Sequence, residues 1–158
     1  MKNAPYQKLG ISLALSFMAM YAVMFLNVAS SDHVYLSLTR FYMTLLMICP
    51  MAIIMLLTMP GMYSNRKRNI ALLVISVAVF FASLVGLRQQ VFIGDEQYMR
   101  GMISHHSSAI MTSQKASITD PEVVALAQGI IRSQEEEIAQ MKSILQRMRD
   151  DANEKAAD

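Results

Sequence analysis

The sequence predicts an all-α protein: three transmembrane helices followed by an antiparallel two-helix hairpin. Three observations carry this. Hydrophobic residues make up 54% of the 158 and charged residues only 16%. The segments 10–29, 41–62 and 70–87 contain no Asp, Glu, Lys or Arg, and apolar runs of about 18 or more residues are long enough to cross a bilayer. The C-terminal third is polar and repeats in steps of three and four. Residues 1–93 therefore read as a membrane domain and 94–158 as an exported helical-hairpin domain.

The first apolar segment follows Lys2 and Lys8 and ends in small residues at Ala29, Ser30 and Ser31, as a signal peptide does. Its apolar core is longer than the usual core of about 7–15 residues, so a retained helix is the preferred reading and cleavage the alternative. Orientation follows from the loops. Lys2 and Lys8 precede the first helix, and Arg66, Lys67 and Arg68 lie between the second and third, whereas the other loop offers Arg40 beside Asp32. Positive loops stay cytoplasmic. Three crossings then put the N-terminus in the cytoplasm and the tail outside, which in a bacterium with two membranes is the periplasm.

Cys49 is the lone cysteine, so no intrachain disulfide framework is available. A net charge of +2, with no phosphate loop and no basic nucleic-acid module, points away from nucleic-acid partners. In the second membrane segment Met43, Met47, Met51, Met55 and Met59 recur every four residues. A four-residue step drifts about 40° per repeat, so these side chains spiral around the helix, and polarizable packing filler is the favoured reading over a conduit for soft ions. Pro50 should free a carbonyl near Leu46 and bend that helix.

The tail holds the chemistry. A first helix is expected over about 95–117. The stretch "ITDP" then punctuates the chain, with Thr119 or Asp120 as N-cap and Pro121 as the first residue of a second helix running to about 148. In that second helix Val124, Ala127, Ile131, Gln134, Ile138, Met141, Leu145 and Met148 form a heptad seam. In the first, Met99, Met102, His106, Ala109, Ser113 and Ala116 do the same. His106 thus sits in the seam, and His105, about 100° around the helix, points to the flank. In a tight hairpin the opposed residues would be His106 with Gln134, Met102 with Glu137, and Met99 with Met141.

Burying such polar groups requires partners. One reading is a polar layer, His106 bonded to Gln134 or Glu137, that fixes helix register. The other is a metal site, because thioether sulfur with neutral imidazole is a soft, uncharged set suited to Cu(I). Spacing alone leaves both open. His33, beside Asp32, reads as a solvated loop residue, and Glu135–Glu137 as a wet helix face with only Glu137 near the seam.

The stretches "DEQYMRGMISHHSSAI" and "TDPEVVALAQGIIRSQEEEIAQM" resemble the bacterial family called domain of unknown function 305, with its methionine, two histidines, Ala-Ile, and later Gln-x-x-Glu-Ile-x-x-Met. The likeness covers about residues 95–148. It implies a ferritin-like helical bundle, export from the cytoplasm and, for some members, copper binding through histidine and methionine. On this chain it points to Met102, His105, His106 and Met141, with Gln134 and Glu137 as supporting polar residues; the layer arithmetic adds Met99. Two departures stand out. The family methionine six residues after the second histidine is Thr112 here, with Met111 on nearly the opposite side of the helix from Met102, and the aromatic residue after the last methionine is replaced by Ile144 and Leu145.

A two-helix tail rarely buries enough apolar surface to stand alone, so a homodimer completing a four-helix bundle is expected, with His105 facing the partner. Catalysis is not expected. No glutamate precedes either histidine by three residues, as a di-iron site would need, and Ser107 and Ser108 lack an orienting group in sequence. The functional expectation is an inner-membrane, periplasm-facing protein that binds or buffers copper and exchanges it with a donor or acceptor protein. The alternative is a structural or interaction module pairing through the hairpin, for instance as an accessory subunit of a membrane complex.

Overall fold

Five α-helices and one short 3-10 turn, with no strand, make up residues 4–157, the part of the chain that the computed structural model describes. Lys2, used in the orientation argument, lies outside the described residues. The chain divides into two units: Met1–Met24 with Leu38–Phe92, and Phe25–Ser37 with Ile93–Asp158. The segment joining the first two helices therefore belongs with the C-terminal helices.

The first unit contains α1 (Ala4–Val23), α2 (Leu38–Thr58) and α3 (Arg66–Arg88), with α2 packed against both neighbours. Two helices, α2 and α3, are long and apolar enough to cross a membrane. The first helix differs from its expected span: it begins earlier, taking in Gln7 and Lys8, and ends at Val23 before Phe25 and Leu26, so its composition is more polar than the run 10–29. Its end is held by Arg40, whose guanidinium donates to the carbonyl of Met24. Helix α2 stops at Thr58 because the residue before Pro60 is biased away from helical geometry, and it runs on through Pro50. Helix α3 starts at Arg66, earlier than the apolar run, because the Asn65 side chain accepts from the Arg68 backbone N–H at 3.1 Å.

At Gly86 helix α3 packs tightly against Tyr42 of α2. A Cβ there would lie 3.0 Å from two ring atoms of Tyr42, and Tyr42 is held in place by donating its hydroxyl to the Val91 carbonyl at 2.9 Å. Gly86→Leu is expected to destabilise the detergent-solubilised chain by about 1–3 kcal/mol through overpacking. Thermal unfolding in mild detergent tests this; an unchanged midpoint would mean that the Tyr42 ring moves aside at no cost.

The second unit is α4 (Asp95–Lys115) and α5 (Pro121–Ala157), joined by a short turn and covered on one side by Phe25–Ser37. Asp120 is the N-cap of α5, its carboxylate accepting from Glu122 N at 2.9 Å and Val123 N at 3.1 Å. The helix continues past its expected end near 148, because the remaining residues include good helix formers and neither Gly nor Pro.

The core is built from Met99, Ile103, Ile110, Ile138 and Leu145, with Ile131, Met141, Met148 and Tyr35 against it. The seam expected in α5 thus lines the core. That of α4 is rotated: Ile103 and Ile110 are buried, while Ala109 and Ser113 are only half-buried and Ala116 is exposed. The physical reason is that α4 has two neighbours instead of one. Ser104 and Ser107, both fully buried, turn toward the segment Phe25–Ser37.

Candidate metal centre

His106 lies on the α4 face that meets α5, nine-tenths buried, with its Nε2 3.4 Å from the Glu137 carboxylate. Glu137 also accepts a hydrogen bond from Ser133 at 2.9 Å. The polar partner of His106 is therefore Glu137 and not Gln134, because a five-residue turn (116–120) shifts the register from that of the tightest hairpin. Around this pair a cleft of about 510 Å³ is lined by the side chains of Met99, Met102, Met141 and Met148. Asp95, Tyr98, Gln140 and Arg147 complete its rim.

The cleft brings together Met99, Met102, His106, Glu137 and Met141 out of the residues singled out in the sequence. Two others lie elsewhere. His105 is exposed, its ring centroid 5.9 Å from that of His106, and it does not line the cleft. Gln134 is half-buried and also outside it. Thr112, at the position where a further thioether was expected, is exposed and donates its hydroxyl to the Ser108 carbonyl at 2.9 Å. Met148 also lines the cleft. Its place one heptad after Met141 is the signal in the sequence that it shares the same face.

Burial holds the His106 imidazole below the ordinary histidine range; Glu137 opposes that shift and His105 adds to it. The neutral form is the one that can ligate a metal. Its Nδ1 is buried and has no hydrogen-bond partner, leaving Nε2 as the nitrogen next to Glu137. The cleft lining thus includes four thioethers and one neutral imidazole, residue types whose donor atoms are soft and mostly uncharged. Among the described residues no group of three or more His, Cys, Asp or Glu side chains could hold a metal.

His33 is not a solvated loop residue. Its Nδ1 is 2.8 Å from Ser107 Oγ, and its carbonyl accepts from Ser104 Oγ at 2.8 Å. Ser107 Oγ in turn accepts from Ala29 N at 2.8 Å, so its own proton is available to His33 Nδ1. Asp32 pairs with Lys142 of α5 and lies 3.8 Å from His33 Nε2. The series Ser107, His33, Asp32 has the residue types of a hydrolytic triad, but Ser107 has no exposed surface and its oxygen is already engaged, so the arrangement works as a latch for the segment.

The latch predicts a pH dependence. Burial first, and Lys142 second, hold His33 below the usual value, as burial does His106. In the unfolded chain both titrate near about pH 6.5, so on acidification the unfolded state takes up protons first. Stability present above about pH 6.5 is lost as the pH falls toward the folded-state values. Asp32 is held well below the usual carboxylate range, by its hydrogen bond from Lys142 first and from Ser30 next, so its contribution is lost only below about pH 4. Urea midpoints of the metal-free chain at about pH 7.5 and about pH 5.5 should differ, with the lower pH less stable; equal midpoints would contradict the buried, neutral histidines.

These features define a class: a helical hairpin with a methionine- and histidine-lined cleft, attached to an apolar helical unit. The sequence profile of the Domain of unknown function (DUF305) matches residues 82–156. An uncharacterised protein of Acanthamoeba polyphaga mimivirus is 38% identical over 133 residues, covering 82% of this chain and 86% of that protein. That similarity is longer than the matched domain, so it reaches into the apolar unit as well. No solved structure matches the chain. The chain belongs to the DUF305 family.

Proposed function

We propose that this protein is a membrane-anchored copper-binding protein, holding Cu(I) in the cleft between α4 and α5. The observation that carries the reading is the gathering of Met99, Met102, Met141, Met148 and His106 around one cleft. A row of methionines along a core would by itself be ordinary filler. Here the thioethers share the cleft with a nine-tenths-buried, neutral imidazole, and Glu137 supplies an acceptor beside the ligating ring, as outer-shell carboxylates do in metal sites. The role is binding or buffering, with transfer to or from a donor or acceptor protein, and without catalysis.

All three helices of the first unit serve as membrane spans in this reading, α1 being the least apolar. Lys8, Arg66, Lys67 and Arg68 mark the cytoplasmic side, and the hairpin unit faces the periplasm of a bacterial inner membrane. Val123, Leu126 and Ile130 are exposed along one face of α5, Leu126 by 64%. Burying that stripe in a homodimer would complete a ferritin-like four-helix bundle and offer His105 to the partner.

Titrating the purified full chain with Cu(I) against a competing chelator tests the proposal. The full chain is required because a fragment starting at Asp95 would lack the segment that covers Ser104 and Ser107. One saturable Cu(I) site, not displaced by Zn(II), is expected. Absence of saturable binding in a folded sample would leave the second reading, in which the His106–Glu137 pair at 3.4 Å only fixes helix register.

A further inference from the structure

The first unit carries a cluster of cations at one end. Between residues 1–24 and 38–92 the sequence contains no Asp or Glu, so the unit supplies no carboxylate side chain to Lys8, Arg66 or Lys67. Helices α2 and α3 run in opposite directions, joined by the short connection 59–65. The start of α1 is fastened at that same connection. Tyr6 Oη donates to Asn69 Oδ1 at 2.8 Å and accepts from Asn65 N at 3.0 Å, and the Tyr6 and Tyr63 rings meet at 5.5 Å. Asn69 donates to the Tyr63 carbonyl at 2.7 Å.

This frame gathers exposed Lys8, Arg66, Lys67 and Arg68 at one end, with the Arg68 guanidinium lying 5.5 Å above the Tyr6 ring. The N-termini of α1 and α3 add partial positive charge there, against the single C-terminus of α2. The opposite end is different. Its cations are Arg88 and Arg40, and Arg40 is buried against the Met24 carbonyl.

Lys8, Arg66 and Lys67 are exposed cations beside apolar helices and the Tyr6–Tyr63 pair, a combination complementary to negative charge at an apolar surface. We propose that this end binds the headgroups of anionic phospholipids, with Lys8, Arg66 and Lys67 as the contacts and the Tyr6–Asn65–Asn69 network as the frame that fixes them. A bilayer fits better than a soluble anion, because the neighbouring side chains Ile70, Val74 and Met62 are exposed and apolar, and a headgroup arrives with acyl chains that cover such surface. The inference rests on the reading of these helices as membrane spans.

The test uses the full chain reconstituted into phosphatidylcholine vesicles containing a minor share of phosphatidylglycerol. After extraction in mild detergent, the lipids retained by the protein are quantified by mass spectrometry. The wild type is expected to retain phosphatidylglycerol well above its share in the vesicle. Enrichment should fall by about fivefold for each charge removed in Lys8→Gln, Arg66→Gln and Lys67→Gln at low salt, and should fall again as salt is raised. Arg88→Gln at the other end should leave it unchanged. Equal retention of the two lipids by a chain that resists alkaline extraction would overturn this inference while leaving the membrane reading intact. Release of the chain by alkaline extraction would overturn both. Loss of the retained lipid to inorganic phosphate at low concentration would make the end a free-phosphate site and equally overturn the proposal.

Discussion

His106→Ala is expected to reduce Cu(I) affinity by more than a hundredfold, and His106→Ala with Met102→Leu to remove saturable binding. Changing an outer-shell partner of a metal ligand typically costs about 10–100-fold in affinity, so removing a ligand itself should cost more. His106 is the only histidine in the cleft, and no cysteine is available to replace it, the lone Cys49 being buried in α2. Met102→Leu nearly conserves volume, and such swaps usually cost less than about 1.5 kcal/mol in stability, so loss of binding there would report the thioether and not the fold. Glu137→Gln should weaken binding less, since it removes a neighbour of the ring and not a donor atom. Competition titrations of the three variants rank the roles. Affinities that stay within a factor of a few across the series would remove the cleft from consideration and return the His106–Glu137 pair to a packing role.

Ser107→Ala combined with Ser104→Ala is expected to release the segment Phe25–Ser37 from α4. The two hydroxyls bond four groups of that segment: Ala29 N, His33 Nδ1, the His33 carbonyl and, at 3.4 Å, Tyr35 N. Both serines are fully buried, so no water replaces the lost partners while the segment stays docked. A buried donor or acceptor left without a partner costs about 1–3 kcal/mol, and even two such losses are a large share of the about 5–15 kcal/mol that holds a typical domain folded. The Asp32–Lys142 pair cannot compensate, because the Asp32 side chain is 63% exposed and surface pairs contribute about 0–1 kcal/mol. Hydrogen exchange should show loss of protection at residues 25–37 with α4 and α5 still helical. Protection unchanged from wild type would mean that the remaining links, Asn27 Nδ2 to Ser108 Oγ at 2.7 Å, the Asp32–Lys142 pair and Tyr35 packing, hold the segment without the serines.

Much of this is legible in the amino-acid sequence alone. Helix-period patterning and charge-free runs set the all-α class and the two apolar helices α2 and α3, because those properties depend on composition along a single element. The turn at "ITDP" followed from local chemistry: Asp120 caps and Pro121 begins a helix whatever surrounds them. The heptad in α5 identified its core face for the same reason.

The site was only partly legible. Met99, Met102, His106, Glu137 and Met141 could be named from spacing and from family resemblance, whereas the pairing of His106 with Glu137 depended on the length of a turn that spacing arithmetic treats as tight. The faces of α4 were legible only in part: Met99 and His106 are buried as the seam requires, but Ile103, Ser104, Ser107 and Ile110 are buried as well. Ser104 and Ser107 look like surface serines beside two histidines, and His33 like a loop residue, until a segment distant in sequence is laid across them. A sequence specifies which faces of a helix are able to bury; how many neighbours arrive to bury them is a long-range property. That is why the repeating elements of this protein, and the split between seam His106 and flank His105, were fixed locally, while tertiary structure alone gave Ser104 and Ser107, on either side of the histidine pair, their partners.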